Sequence, residues 1–432
     1  MLSGNLSAWL ARRNVHYGWV VAFTTFLTML ATAGAMGSAG VLIQPLHQEY
    51  GWDLTSISSA MAIRLVLFGL LGPFAAASMT HFGIRKVVCT ALLLIVGGIL
   101  LSFKMTKVWH LMILWGVVVG TGTGMTAMVL GAIVANRWFS KRRGLVVGMM
   151  SASNATGQLI FLPLLAELAE SYGWRAAQLF ITGVVGVAMV LVLLLMRDHP
   201  SELDLPAYGD SAVAPLPLED HNFGRTLLVP LNALAEASRR PIFWVLGGTF
   251  FICGLSTNGL IQTHWISICG DFGLDPVKAA GTLAVLGVFD FFGTITAGWL
   301  SDRFDNRWLL FWFYGLRGLS LLYLSFSGFG IYELASFSVF YGLDWIATVP
   351  PTVKLAADSF GREKAGVIFG WVVAGHQLGA AVAAFGAGAI RSDFESYMPA
   401  LQIAGMMCVL AALSVLLLKR PGSTRAAIAV AH

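Results

Sequence analysis

Twelve long apolar runs, separated by short charged punctuation, constrain this chain more than any other feature of its sequence. A hydrocarbon layer about 30 Å thick takes roughly 20 apolar helical residues to cross. Cutting the chain wherever charges and turn residues interrupt the runs leaves spans 1 to 12 at about 17–45, 54–79, 86–104, 108–135, 143–167, 174–196, 241–267, 276–301, 307–327, 330–356, 365–390 and 399–418. An isolated strand in lipid leaves its backbone unpaired, and the alternation of a membrane barrel is absent, so the spans are read as helices. The expected fold is an all-α membrane protein with twelve transmembrane helices. Only 11% of the 432 residues are charged, against roughly a quarter in soluble domains, which excludes a water-soluble globule. The first run follows Arg12 and Arg13 and is too long for the core of a cleaved signal peptide, so it counts as span 1.

The charges are informative through their placement. Twenty-seven Lys plus Arg against 22 Asp plus Glu leave +5, scattered between runs rather than gathered on one face, so no nucleic-acid partner is expected. With the N-terminus inside, 20 basic residues fall on the cytoplasmic side and five on the other, which assigns both termini to the cytoplasm. The longest polar stretch, about 197–240, carries five prolines and an amphipathic piece with Leu227, Leu228, Leu231 and Leu234. It divides the chain into an N-terminal bundle (1–198), a cytoplasmic linker (199–240) with a helix suited to the membrane surface, and a C-terminal bundle (241–432). The cysteines Cys89, Cys253, Cys269 and Cys408 lack metal or disulfide spacing and read as small packing residues. No phosphate loop, His cluster or soluble catalytic domain is present, so no enzyme, cofactor or metal is expected.

A shift of 222 residues aligns the two halves without a gap at several places. It puts Gly144, Gly148, Ala152, Asn154 and Gly157 on Gly366, Gly370, Ala374, His376 and Gly379, and Phe82 and Arg85 on Phe304 and Arg307. It also puts Gly37 on Gly259 and Gly120 on Gly342. Six spans per copy is an even number, so the expectation is two parallel six-helix repeats.

Residues 298–304, Gly-Trp-Leu-Ser-Asp-Arg-Phe, resemble the cytoplasmic loop motif of the major facilitator superfamily, with Asp302 and Arg303 as its conformational charges. The counterpart at 78–86 is degraded, with Thr80 where the acid belongs. Tyr17-Gly18-Trp19 and the segment 136–144 (Asn-Arg-Trp-Phe-Ser-Lys-Arg-Arg-Gly) are similar to the monocarboxylate transporter and oxalate:formate carrier branch. The resemblance implies alternating access, with spans 1, 2, 4, 5, 7, 8, 10 and 11 around a central cavity and spans 3, 6, 9 and 12 supporting them.

Four ionisable side chains fall where none is cheap. Arg64, Asp290, Arg317 and Asp344 lie about ten to fourteen residues into spans 2, 8, 9 and 10, near mid-membrane at ~1.5 Å rise per residue. The N-terminal half has no acid inside a span, so Arg64 lacks a partner in its own half. Arg317 has two possible acids, which leaves one to spare. The expectation is a structural ion pair for Arg317, a proton-coupling role for one of Asp290 and Asp344 with Asp290 the first candidate, and a substrate-anchoring role for Arg64, whose planar guanidinium suits a carboxylate. Snorkelling or packing among carbonyls is the bland alternative for Arg64. The monocarboxylate branch carries an arginine four residues after its span 8 acid, where this chain has Thr294.

Uncharged polar residues add candidates. Asn154 shares a face of span 5 with Ser151 and Gln158, Asn258 and Gln262 stripe span 7, and His376 lies in span 11; each reads either as substrate contact or as glue between helices. Pro73 and Pro350-Pro351 should bend spans 2 and 10. The chain is thus expected to be an inner-membrane secondary carrier, functional as a monomer, whose partners are a small organic anion, protons and the lipid bilayer. Proton-driven efflux of an apolar metabolite or drug is the alternative, followed by a non-transporting membrane receptor.

Overall fold

The computed structural model describes residues 2–52, 54–215 and 223–418. Asp53, linker residues 216–222 and the C-terminal Lys419, Arg420 and Arg425 lie outside the described residues, as do the side chains of Gln158 and Leu227. Among the described residues, eight helices are long and apolar enough to cross a membrane, and nine when the pair Ser59–Leu70 and Gly72–Phe82, bent by 55°, forms one span. The bend falls directly before Pro73, whose ring and missing N–H end the helix there. Spans 5, 9 and 10 are helical too, as Arg143–Tyr172, Asn306–Ser325 and the two pieces Ile331–Asp344 and Val349–Phe360.

The chain divides into two compact units, Met1–Asn232 and Ala233–His432. The polar stretch after span 6 does not hang free of the first unit. Tyr208 N–H donates to the Trp138 carbonyl at 2.8 Å, and Ser140 N–H to the Tyr208 carbonyl at 2.9 Å. The Tyr208 ring lies 5.8 Å from those of Trp19 and Phe139, and His16 Nε2 meets the Pro206 carbonyl at 3.0 Å. The division falls inside the amphipathic helix Phe223–Ala237, which buries Ala233 and Ala237 and leaves Leu228 and Leu231 exposed.

Several spans are irregular at related registers. Span 1 is interrupted at Ser38, between Gly18–Gly37 and Ala39–Tyr50, and span 7 widens into π-helical turns over Leu255–Gln262. Span 4 has π-helical turns over Met112–Val119 and breaks at Thr126–Ala127; span 10 opens over Trp345–Thr348 before its proline pair. The 222-residue shift sets Thr126 on Thr348. Close approach needs glycine in the second unit. A Cβ on Gly293 would run into the Leu343 carbonyl, so spans 8 and 10 meet backbone to backbone. A Cβ on Gly379 would likewise strike the Phe251 carbonyl and push span 11 off span 7.

Candidate functional site

Opening span 10 frees backbone groups that have no water to bond inside a bundle. Side chains from two neighbouring spans fill that need, and a third, span 7, braces them. Arg317, on span 9 and fully buried, donates through Nη2 to the carbonyls of Asp344 and Trp345, the latter at 3.0 Å. Its Nε meets Asp344 Oδ2 at 2.7 Å, and its Nη1 meets Cys253 Sγ on span 7 at 2.9 Å. Asp290, on span 8 and 1% exposed, accepts through Oδ1 from Ile346 N–H at 2.9 Å and from the Thr294 hydroxyl at 2.8 Å. Thr348, at the end of the break, faces Cys253 Sγ at 3.5 Å. Asp290 Oδ2 and Asp344 Oδ1 have no hydrogen-bond partner among the described residues.

The same cluster supports span 7. A π-helical turn leaves carbonyls off the regular ladder, and the Tyr341 hydroxyl on span 10 donates to the Ser256 carbonyl at 2.7 Å. Stacked rings carry the contact outward, Tyr341 on Phe337 at 4.7 Å and Phe337 on Trp265 at 5.3 Å. His376 on span 11 sits beside Cys253, its ring 5.4 Å from that of Phe250. Cys253 is therefore not merely a packing residue: it accepts from the arginine at the centre of the cluster. A thiol in an apolar run gives no sequence signal of that use.

In the first unit, Arg64 is 4% exposed and lies against Gly120, the one residue type on span 4 that leaves room for its stem. Its Nε and Nη1 have no hydrogen-bond partner among the described residues. The other expected substrate contacts divide between the units. Asn154 is half-buried in the first, together with fully buried Ser151. In the second, His376 and Asn258 are half-buried and Gln262 is exposed. The Asn258 carbonyl accepts from the Thr263 hydroxyl at 2.7 Å, where the π-helical turns end.

The motif loops use their acids differently. Asp302 pairs with Lys354 at 3.2 Å, while Lys354 Nζ donates to the Ser301 carbonyl at 2.6 Å. Arg303 lies over the Trp299 ring at 3.9 Å. In the first unit Thr80 turns back to the Ala76 carbonyl, and Asp198, past the end of span 6, supplies the acid instead. Asp198 Oδ1 accepts from Arg85 N–H at 2.7 Å, and its carbonyl accepts from Arg137 at 3.1 Å. A Cβ on Gly83, whose φ is +88°, would collide with the Asp198 carboxylate. Next to this clamp, burial and then the Arg137 charge push the His199 imidazole down to about 4. At the far end of each unit an arginine holds an acid: Arg175 grips Glu49 at 2.6 and 2.9 Å, and Arg391 meets Asp271 at 2.9 Å. The 222-residue shift aligns Glu49 with Asp271, a signal that the sequence carries in the same register as the glycines of spans 5 and 11. Among the described residues, no group of three or more His, Cys, Asp or Glu is placed to hold a metal.

Two units of six spans, broken at matched registers and carrying buried ionisable groups, define a membrane transporter of the duplicated six-helix class. The profile of the Major Facilitator Superfamily matches residues 21–384 and, in a second match, 265–430; the chain belongs to that superfamily and is a multi-pass membrane transporter, not an enzyme. It is 24% identical over 386 residues to the uncharacterized MFS-type transporter YcxA of Bacillus subtilis (strain 168), covering 88% of this chain and 90% of that one. Monocarboxylate transporter 13 of Rattus norvegicus is 25% identical over 394 residues, covering 90% and 86%. Among solved structures, the fucose:proton symporter of E. coli superposes with a TM-score of 0.68 at 14% identity, covering 93% of this chain and 99% of that one. The human organic anion transporter MFSD10 gives 0.70, also at 14%, covering 92% and 99%. At such identities these likenesses speak for the fold alone.

Proposed function

We propose that this transporter is a proton symporter of a small organic anion, a monocarboxylate, working as a monomer by alternating access in the inner membrane with both termini in the cytoplasm. The observation that carries the reading is Arg64: a buried guanidinium with two nitrogens unpartnered among the described residues, in a half whose acids lie only in or next to the loops and helix ends. A desolvated cation short of acceptors is costly, and a planar carboxylate answers its fork geometry better than any neutral solute. The relatives named as monocarboxylate transporters support the same substrate class, and the 20-to-5 basic bias supports the orientation.

Asp290 takes the proton in this reading, since Arg317 is committed to Asp344 and to the span 10 carbonyls. Asn154, Asn258, Gln262 and His376 provide the polar wall for the remainder of the solute, and Asp302 with Arg303 controls the rearrangement of the cytoplasmic loop. Purified protein should gain thermal stability from short carboxylates, because a ligand that binds the folded state shifts unfolding by mass action. Arg64→Ala should abolish that gain while remaining folded, and Arg64→Lys should restore charge but little of the gain. Stabilisation by bulky apolar amphiphiles instead, unaffected by either substitution, would favour efflux of an apolar solute.

A further inference from the structure

The break in span 10 is held from two sides by groups that respond differently to a proton. On its early side Arg317 grips the carbonyls of Asp344 and Trp345, and an arginine keeps its charge across the working range. On its late side Ile346 N–H is tied to Asp290 Oδ1. Asp290 Oδ2 is buried and has no partner among the described residues, so a proton can settle there without displacing either donor from Oδ1. A neutral carboxyl is a weaker acceptor than a carboxylate. Protonation therefore loosens the Ile346 tie and leaves the Arg317 grip intact. The titratable groups facing Asp290 are Arg317 from span 9, Asp344 from span 10 and Cys253 from span 7, with His376 from span 11 reaching Cys253.

We propose that the Ile346 side of this break is the moving joint of the second unit, held shut by ionised Asp290 and released by its neutral form. Arg317 is a positioning residue that keeps the Asp344 side fixed in both states. The packing suits this arrangement: Gly293 and Gly342 let spans 8 and 10 touch through their backbones, which brings a carboxylate to a main-chain nitrogen on the neighbouring helix. The inference rests on the reading of Asp290 as the proton site for its link to transport, whereas the joint itself is a property of spans 8, 9 and 10.

Hydrogen exchange of the full-length protein in lipid nanodiscs, followed by mass spectrometry and corrected for intrinsic rates, tests it directly. Protection across residues 345–348 should be about tenfold lower at about pH 5.5 than at about pH 8.5. Asp290→Asn should show the lower protection at both. Thr294→Val, which keeps the carboxylate and the Ile346 tie, should retain the pH response. Equal protection at both pH values in the parent protein overturns the joint, and that comparison stands even where Asp290→Asn does not fold. Proton-driven uptake, measured alongside, separates the two ideas. Uptake lost in Asp290→Asn with unchanged protection removes the joint and keeps the proton reading. Protection that responds while uptake by that variant stays proton-driven keeps the joint and removes the proton reading.

Discussion

Spans 4 and 10 break at the same place in the duplicated sequence and are repaired by different chemistry. In span 4 the repair is local: the Thr126 hydroxyl turns back to the Gly122 and Thr123 carbonyls at 3.1 and 3.2 Å, and Thr123 to Val119 and Gly120 at 2.9 and 3.1 Å. In span 10 the repair comes from other helices, through Arg317 and Asp290, while Tyr341 of span 10 in turn supports the widened turn of span 7. The shift that aligns the halves places Ile95 opposite Arg317, Phe68 opposite Asp290 and Val119 opposite Tyr341. The irregular backbone is thus common to both copies, while the charges that hold it belong to one. A helix break and the means of holding it are separable features, and the polar means makes its neighbours interdependent.

The sharpest way to break this comparison is to exchange the two mid-span arginines, Arg64 and Arg317, for a shape-filling apolar residue. Arg317→Met should cost about 3 to 5 kcal/mol in unfolding, because it strands a buried carboxylate and two carbonyls. Arg64→Met, which removes a cation with two nitrogens unpartnered among the described residues, should be neutral or stabilising; equal losses in the two variants would show that the units do not differ as described. Tyr341→Phe, which leaves the Ser256 carbonyl without its donor and gives span 10 the apolar character that Val119 has in span 4, should cost about 1 to 3 kcal/mol by the same measurement.

The smallest effect is expected at the clamp after span 6. His199 is held at about 4 in the fold, against about 6.5 in an unfolded chain. Between those values the unfolded chain takes up a proton that the folded one refuses, so stability falls as pH falls through this window. His199→Asn, which retains an acceptor for the helical turn at Pro200–Leu203, should flatten the thermal-stability profile there by about 1 °C. An unchanged slope would show that the imidazole does not contribute to acid sensitivity.

Much of the architecture was legible because hydrophobic length and basic bias are written residue by residue. The mid-span charges were legible as arithmetic, two acids and two bases with only one base beside the acids. What the sequence did not announce was the backbone between them. A π-helical turn at Leu255–Gln262 leaves no compositional mark, and the proline pair at Pro350-Pro351 foretells a bend without saying that Trp345–Thr348 opens ahead of it. Thr80 reads as a lost acid, yet the missing charge is supplied by Asp198, which no local pattern connects to that loop.

That substitution of acids changes the order in which the molecule can be assembled. The Asp302–Lys354 pair links residues 52 apart, whereas the Arg85–Asp198 bond links residues 113 apart. At roughly 5 to 20 residues per second of synthesis, the turn after span 2 emerges and waits on the order of 6 to 20 s before its acid is made. The first half therefore cannot be fastened at that end until its sixth helix has been translated, which makes completion of the whole N-terminal bundle, rather than of any hairpin within it, the event that closes the turn.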